Sequence, residues 1–222
     1  MKILHISLLT PIPDVFAEND YLFKTVDAHL EVFPDDEVFI VRPVPYSNAF
    51  LSKLFPFNSA YRAIKNKESY KWKNYDVMLM PYISAKRINN IHSILCSSLY
   101  YLNKRRIKKF LDEHKIDVVH AQLLYPDAVL AYFLWKNFNI PYFITSHWEL
   151  DYLENNISRF FTKKLLKNAK YIFPIAQVNQ NTYLEIGINH TKVVPLGFDD
   201  TFYNATKILL IQNRLKLSPY HD

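Results

Sequence analysis

Glycine is almost missing from this chain, with 2 residues among 222, and there is a single cysteine. So few glycines leave no room for a GxGxxG or GxxxxGK(S/T) loop, whose backbone must approach a nucleotide closely, so phosphates are not cradled in that way. One cysteine excludes a disulfide framework and any CxxC metal site. Cys96 lies in the apolar run Ile94-Leu95-Cys96 and reads as a packed thiol. No run of ~18 uncharged apolar residues is present. The longest candidate, Val118 to Trp135, is interrupted by His120, Gln122, Pro126 and Asp127. The opening Met1 to Leu8 is too short and too polar for a secretory signal. With the unpaired cysteine, this gives the expectation of a cytoplasmic protein, peripheral at most on the inner face of a membrane. HExxH and GxSxG are absent too, which removes two common hydrolase readings; no metal or cofactor is expected.

What is present is apolar and basic. Half of the residues are hydrophobic, with 16 Tyr and 16 Phe, and the net charge is +6. That balance points to an anionic partner: a phosphate-bearing substrate, an acidic membrane face or nucleic acid. Two basic clusters stand out, Lys104-Arg105-Arg106 with Lys108-Lys109, and Lys163-Lys164 with Lys167 and Lys170. They form no recognised nucleic-acid module, so no nucleic-acid partner is expected. The stretch from Asn48 to Lys73 mixes aromatics with lysines and reads as a covering loop with a short amphipathic helix, or as an interfacial patch. Lys53, Arg62, Lys65 and Lys67 beside Phe50, Leu54, Phe55 and Phe57 are its candidates for membrane contact.

Short runs that are apolar on both faces predict buried parallel strands at Ile3–Leu8, Val38–Val41, Val77–Met80, Val118–His120, Tyr142–Thr145, Tyr171–Pro174 and Lys192–Val194. Helical periodicity fills most gaps. It predicts a helix from Asn19 to Val32, and one from Ile91 to His114 with Ile91, Ile94, Leu95, Leu99 and Leu102 on one stripe. That stripe rotates before Ile107, so a bend near Asn103 or snorkelling basic residues are expected. A largely buried helix should run from Pro126 to Phe138, and another from Leu153 to Leu166 with Leu153, Ile157, Phe160, Phe161 and Leu165 inward. Strand and helix in alternation predict an α/β class, a doubly wound, Rossmann-like parallel sheet.

In open parallel sheets ligands bind beyond the carboxyl ends of the strands. The residues at those ends include Thr10 and Asp14 after the first strand, His120, Gln122 and Tyr125, then His147, Glu149 and Asp151, then Gln177 and Gly197. Two histidines closing or following neighbouring strands, with an amide and two acids nearby, suggest a polar site. The abrupt change in "IPYFITSHWELD", from a buried strand to His147, marks its centre.

Four segments in order carry a resemblance. They are Asp117-Val118-Val119-His120, Thr145-Ser146-His147 after "IPYFI", the "EIGIN" helix end, and Val193-Val194-Pro195-Leu196-Gly197-Phe198-Asp199 with Phe202. Together they resemble the N-terminal domain of family 4 glycosyltransferases of the GT-B fold, over about residues 1–204. The resemblance implies a retaining transfer from a nucleotide-sugar donor, as substrate, to a sugar or lipid-linked acceptor without a metal, in the synthesis of surface polysaccharide or glycoconjugate. His147 would be the catalytic residue beside the donor sugar, and the other strand-end residues would bind substrate.

Three features depart from the family pattern. The first loop, Thr10 to Ala17, has no glycine, Leu196 stands where Asn is usual, and Gln177 stands for a common Ser. Residues 205–222 resemble a linker and the first strand of a second domain, so the expectation is a chain that ends before the donor-binding half and is inactive alone. The alternative is a stand-alone α/β binding or scaffolding domain at a membrane surface.

Overall fold

A computed structural model of the chain describes residues 1–13, 20–46, 53, 61, 64, 66–84, 89–147, 149–154 and 156–196. Seven strands form one sheet: β1 (Lys2–Ile6), β2 (Glu37–Pro45), β3 (Ser69–Trp72), β4 (Tyr75–Tyr82), β5 (Val118–Ala121), β6 (Tyr142–Ser146) and β7 (Tyr171–Pro174). Their spatial order is β3-β4-β2-β1-β5-β6-β7. All neighbours are parallel except β3 and β4, an antiparallel hairpin at one edge. The predicted doubly wound α/β class is the class observed.

The helices that the described residues define in full are α1 (Tyr21–Val32), α2 (Asn89–Leu95), α3 (Ser98–His114), α4 (Val129–Phe138), α5 (Asn156–Asn168) and α6 (Gln177–Glu185). A π-helical turn, Leu124–Ala128, leads into α4, and a 3-10 turn, Glu149–Leu153, precedes α5. The order reverses at β1, which with right-handed crossovers places α1 on one face and α3 to α5 on the other. Side-chain periodicity agrees. Leu4, Ile6, Val119, Ala121, Tyr142 and Ile144 face the α3–α5 layer in the main core. Leu22, Phe23 and Val26 of α1 pack with Ile40 and Val77 on the opposite face.

Several expectations need correction. The helix predicted over Ile91–His114 is two helices, parted at Cys96-Ser97, where the Ser97 and Ser98 hydroxyls bond back to Ile94 O (2.7 Å) and Leu95 O (2.5 Å). Asn103 is not the break; its buried amide donates to Pro81 O (2.9 Å) and Leu99 O (2.7 Å) within α3. The snorkelling alternative fits Arg106, whose guanidinium reaches Leu79 O and Glu68 O at 2.7 and 2.6 Å. Ile94 and Leu102, expected inward, are exposed. In α5 the inward residues are Ser158, Thr162, Leu165 and Leu166. Ile157, Phe160 and Phe161 face outward, because hydroxyls that find partners indoors can occupy the buried stripe. The stretch read as a loop up to Lys73 contains β3. Its membrane candidates Phe50, Leu54, Phe55, Phe57, Arg62 and Lys65 lie outside the described residues.

Cys96 is fully buried, as the apolar pattern predicted, with its sulfur 3.5 Å from His92 Nε2. Lys192–Val194 is not a full strand, but Lys192 N donates to Ile172 O (3.0 Å) and Val194 N to Pro174 O (2.9 Å), a short parallel ladder beside β7. Gly187 adopts φ +82° just past α6, where a side chain would be strained. Lys115 closes α3 in the same left-handed region at φ 50° without being glycine. Lys115→Gly should therefore stabilise the fold by about 1 kcal/mol, read as a higher thermal midpoint.

Candidate active site

The carboxyl ends of β1, β5, β6 and β7 open on one edge, and the site is built there. The loop after β1 is held by side chains in place of glycine conformations. Leu8 N–H donates to both oxygens of the Asp127 carboxylate at 3.1 and 3.2 Å. From the other side the Arg42 guanidinium donates to Leu8 O and to Thr10 Oγ1, the latter at 3.2 Å. Thr10 Oγ1 also donates to Ser7 O (3.3 Å), and the Tyr70 hydroxyl donates to Pro11 O. Asp127 is completely buried and Arg42 is 3% exposed. Burial lowers the Arg42 pKa, and the tyrosines around it and Asp127 oppose that shift.

Beside this loop, His5 on β1 and His120 on β5 are paired in register, their rings 5.2 Å apart and tilted. His120 Nε2 lies 2.8 Å from Thr145 Oγ1 on β6, and its Nδ1 lies 3.4 Å from Gln122 Nε2. Burial pushes His120 down to about 4 and His5 well below its ordinary value, with His120 and His29 adding to the His5 shift. Both rings are neutral at neutral pH. His5 Nδ1 has no hydrogen-bond partner among the described residues.

His147 follows β6 directly and is buried, and burial holds its pKa below the usual histidine range. Its position is fixed from α6, where the Asn179 amide donates to His147 O and the Tyr183 hydroxyl bonds the Ser146 hydroxyl. A buried, neutral imidazole at a strand end can donate one N–H toward a sugar hydroxyl or a developing phosphate charge.

The other predicted site residues divide. Thr10 and Gln122 are buried within the loop clasp and the histidine pair. Gln177 is exposed at the first turn of α6, its amide bonded to Gln180 Oε1 (2.8 Å) and Asn181 Oδ1 (3.0 Å). Tyr125 is not brought to the strand ends: its hydroxyl meets Thr162 Oγ1 at 3.1 Å and its ring lies tilted against Tyr152, centroids 4.4 Å apart, inside the helical layer. Asp151 is exposed in the 3-10 turn. Glu149 belongs to that turn by its backbone, while Asp14 and Gly197 lie outside the described residues.

Sequence reasoning missed Arg42, Asp127, His5, Asn179 and Tyr183. Two carried a signal: a charged residue inside the apolar runs "VFIVRPV" and "YPDAVLAY" must find a buried partner. Among the described residues, no group of three His, Cys, Asp or Glu side chains could hold a metal ion. A surface depression of about 860 Å³ lies between the amino ends of β2 and β4 and the end of α3. It is lined by Phe39, Asp76, Arg105 and His114, away from the strand-end crevice.

A doubly wound parallel sheet whose strand order reverses at β1, beside a clasped first loop and buried imidazoles, defines a Rossmann-like domain. The chain belongs to glycosyltransferase family 4: residues 84–202, more than half of its length, match Glycosyltransferase Family 4. Among solved structures, sucrose-phosphate synthase from Thermosynechococcus elongatus matches with a TM-score of 0.57 at 13% identity, over 94% of this chain and 52% of that one. A second structure of that synthase gives 0.51 at 11% identity, over 98% of this chain and 99% of that one. Identities this low establish the fold alone, and the chain spans about half the length of the first synthase structure. No curated protein sequence matches the chain. No helix among the described residues is long and apolar enough to cross a membrane.

Proposed function

We propose that the crevice receives a sugar or lipid-linked acceptor together with the sugar end of a nucleotide-sugar donor, in a retaining transfer. The observation that carries this reading is His147, a buried, neutral imidazole pinned at the end of β6 within the region that matches the family. Its N–H is preorganised to meet a donor hydroxyl or the leaving phosphate as negative charge develops there. His120, held neutral against Thr145, orients polar groups at the neighbouring strand end. The clasped Leu8–Pro11 backbone forms the opposite wall. It approaches the donor through fixed backbone groups rather than through glycine.

In this reading the diphosphate is gripped by a second, donor-side domain, and the residues described here supply the acceptor wall and the histidine. The purified chain should then release no nucleotide from UDP-glucose, UDP-N-acetylglucosamine or GDP-mannose. Combined with a family 4 donor-side domain it should turn one of them over. His147→Ala should lower kcat of that assembly about a hundredfold with little change in KM. Donor turnover by the chain alone would overturn the division of labour, and an unchanged kcat in the variant would remove His147 from the chemistry.

A further inference from the structure

Away from the crevice, the outer surface of the α3–α5 layer carries a pattern that the catalytic reading does not use. On each helix an aromatic residue is followed three positions later by a lysine: Tyr101 and Lys104 on α3, Phe133 and Lys136 on α4, Phe161 and Lys164 on α5. Residues three apart share a helix face. All three helices return from the carboxyl to the amino ends of parallel strands, so they run in one direction and the pairs point the same way along the layer. Tyr101 and Phe133 meet at 5.3 Å, and Lys164 Nζ lies 5.6 Å from the centre of the Tyr132 ring. Tyr101, Phe133 and Phe161 line one open cleft of about 260 Å³, with Lys136 and Lys164 among its walls.

This surface is more apolar than an ordinary solvated helix face. Tyr101 is 62% exposed and Phe160 is 65% exposed, and Ile94, Leu102 and Ile157 are exposed around them. Large apolar side chains gathered on one face mark an interaction surface. The charges say which kind. Neither α4 nor α5 contains an acidic residue, and α3 has none before Asp112 in its last turn. On α5, Arg159, Lys163, Lys164 and Lys167 are all cationic. A protein partner that buried the aromatics would strand this uncompensated charge unless it were itself acidic. An anionic bilayer matches both features over the whole face, because aromatics enter the headgroup boundary while lysines remain at the phosphates.

We propose that the outer face of α3, α4 and α5 docks on an anionic membrane surface, with Tyr101, Phe160 and Phe161 inserted and Lys136 and Lys164 against lipid phosphates. The docking does not depend on catalysis, so it stands or falls separately from the role given to His147.

The experiment is co-sedimentation of the full chain with vesicles of phosphatidylcholine alone and of an equimolar phosphatidylcholine–phosphatidylglycerol mixture, at low and high salt. The chain should bind the anionic vesicles at low salt, bind the neutral ones weakly, and be released by salt. Tyr101→Ser with Phe160→Ser should weaken binding about tenfold or more, because exposed apolar residues then have nothing to insert. Lys136→Glu with Lys164→Glu should weaken it about tenfold by reversing two charges. Lys71→Glu, on the edge strand β3, should bind as the wild type does. All of these positions are solvent-exposed, so thermal melts should match the wild type and separate lost binding from lost folding. Equal binding to both vesicle types, no binding, or variants that bind like the wild type would overturn the proposal. So would a wild-type dimer that both surface pairs convert to monomer without changing vesicle binding, since the face would then belong to a second copy of the chain.

Discussion

Asp127→Ala should unfold in urea about 3–5 kcal/mol more easily than the wild type, with a lower midpoint. The carboxylate is fully buried and accepts Leu8 N–H with both oxygens. Its removal strands that N–H, and it also withdraws a negative charge that acts on the buried Arg42 guanidinium. An unsatisfied buried donor alone is worth about 1–3 kcal/mol, and an uncompensated buried cation adds more. Asp127→Asn should lose less, because an amide oxygen still accepts from Leu8 while the charge is gone. Arg42→Met tests the other half of the clasp. Combined with Asp127→Ala it should cost less than the two single changes added together, since neither charge is then left alone. A loss under about 1 kcal/mol for Asp127→Ala would show that water or backbone replaces the carboxylate and that the loop is not held by it. The consequence for the site is direct. A first loop without glycine gains its fixed shape from Asp127 and Arg42, which hold the Leu8 amide and carbonyl, so loosening them should disorder that loop.

The sheet was legible because parallel strands buried on both faces leave near-continuous apolar runs, as at Ile3–Leu8, Val118–His120 and Tyr142–Thr145. β3 was hidden, since "SYKW" is a short edge strand whose polar residues face solvent and whose partner is set by the Lys73-Asn74 turn. The face of α5 was misread for an instructive reason. Hydropathy placed Ile157, Phe160 and Phe161 inside, but the buried stripe runs through Ser158 and Thr162, where the Tyr125 hydroxyl supplies the Thr162 partner. Only the tertiary structure reveals that pairing. His120 and His147 were visible because a polar residue at the end of an apolar strand stands out. Arg42 and Asp127 are 85 residues apart in sequence (127 minus 42), and both reach Leu8 only because β2 and the turn before α4 flank β1. Tyr125 shows the reverse error, since proximity in sequence to His120 and Gln122 placed it at the crevice while the π-helical turn points its ring into the core.

Acidification should destabilise the fold in a window that the histidine pair sets. In the unfolded chain both imidazoles take up a proton near the ordinary value of about 6.5. In the folded chain burial holds His120 down to about 4, and holds His5 well below its ordinary value with help from the neighbouring His120 and His29. Between these limits the unfolded state binds more protons, so each step down in pH favours unfolding. Above about 6.5 both states carry neutral rings and the pair makes no difference. Stability is therefore full at neutral pH and is lost progressively as pH falls through the window toward 4. For His120 alone the displacement corresponds to on the order of 3 kcal/mol at its lower end. His147, also lowered by burial, shifts in the same direction. Asp36 acts lower still, because its bonds to the Met1 ammonium and to His29 hold it below the usual carboxylate range. Urea midpoints measured from about pH 7.5 down to about pH 4.5 should fall steeply in the wild type. A His5→Leu, His120→Leu chain should lose most of that slope, whatever its stability at neutral pH, because the groups that must charge on acidification are gone. His147 should account for the slope that remains. A wild-type midpoint that stays level across the window, or a slope of equal size in the double variant, would show that the two rings stay hydrated enough to protonate in place. They would then be ordinary polar residues of the crevice rather than buried neutral members of its frame.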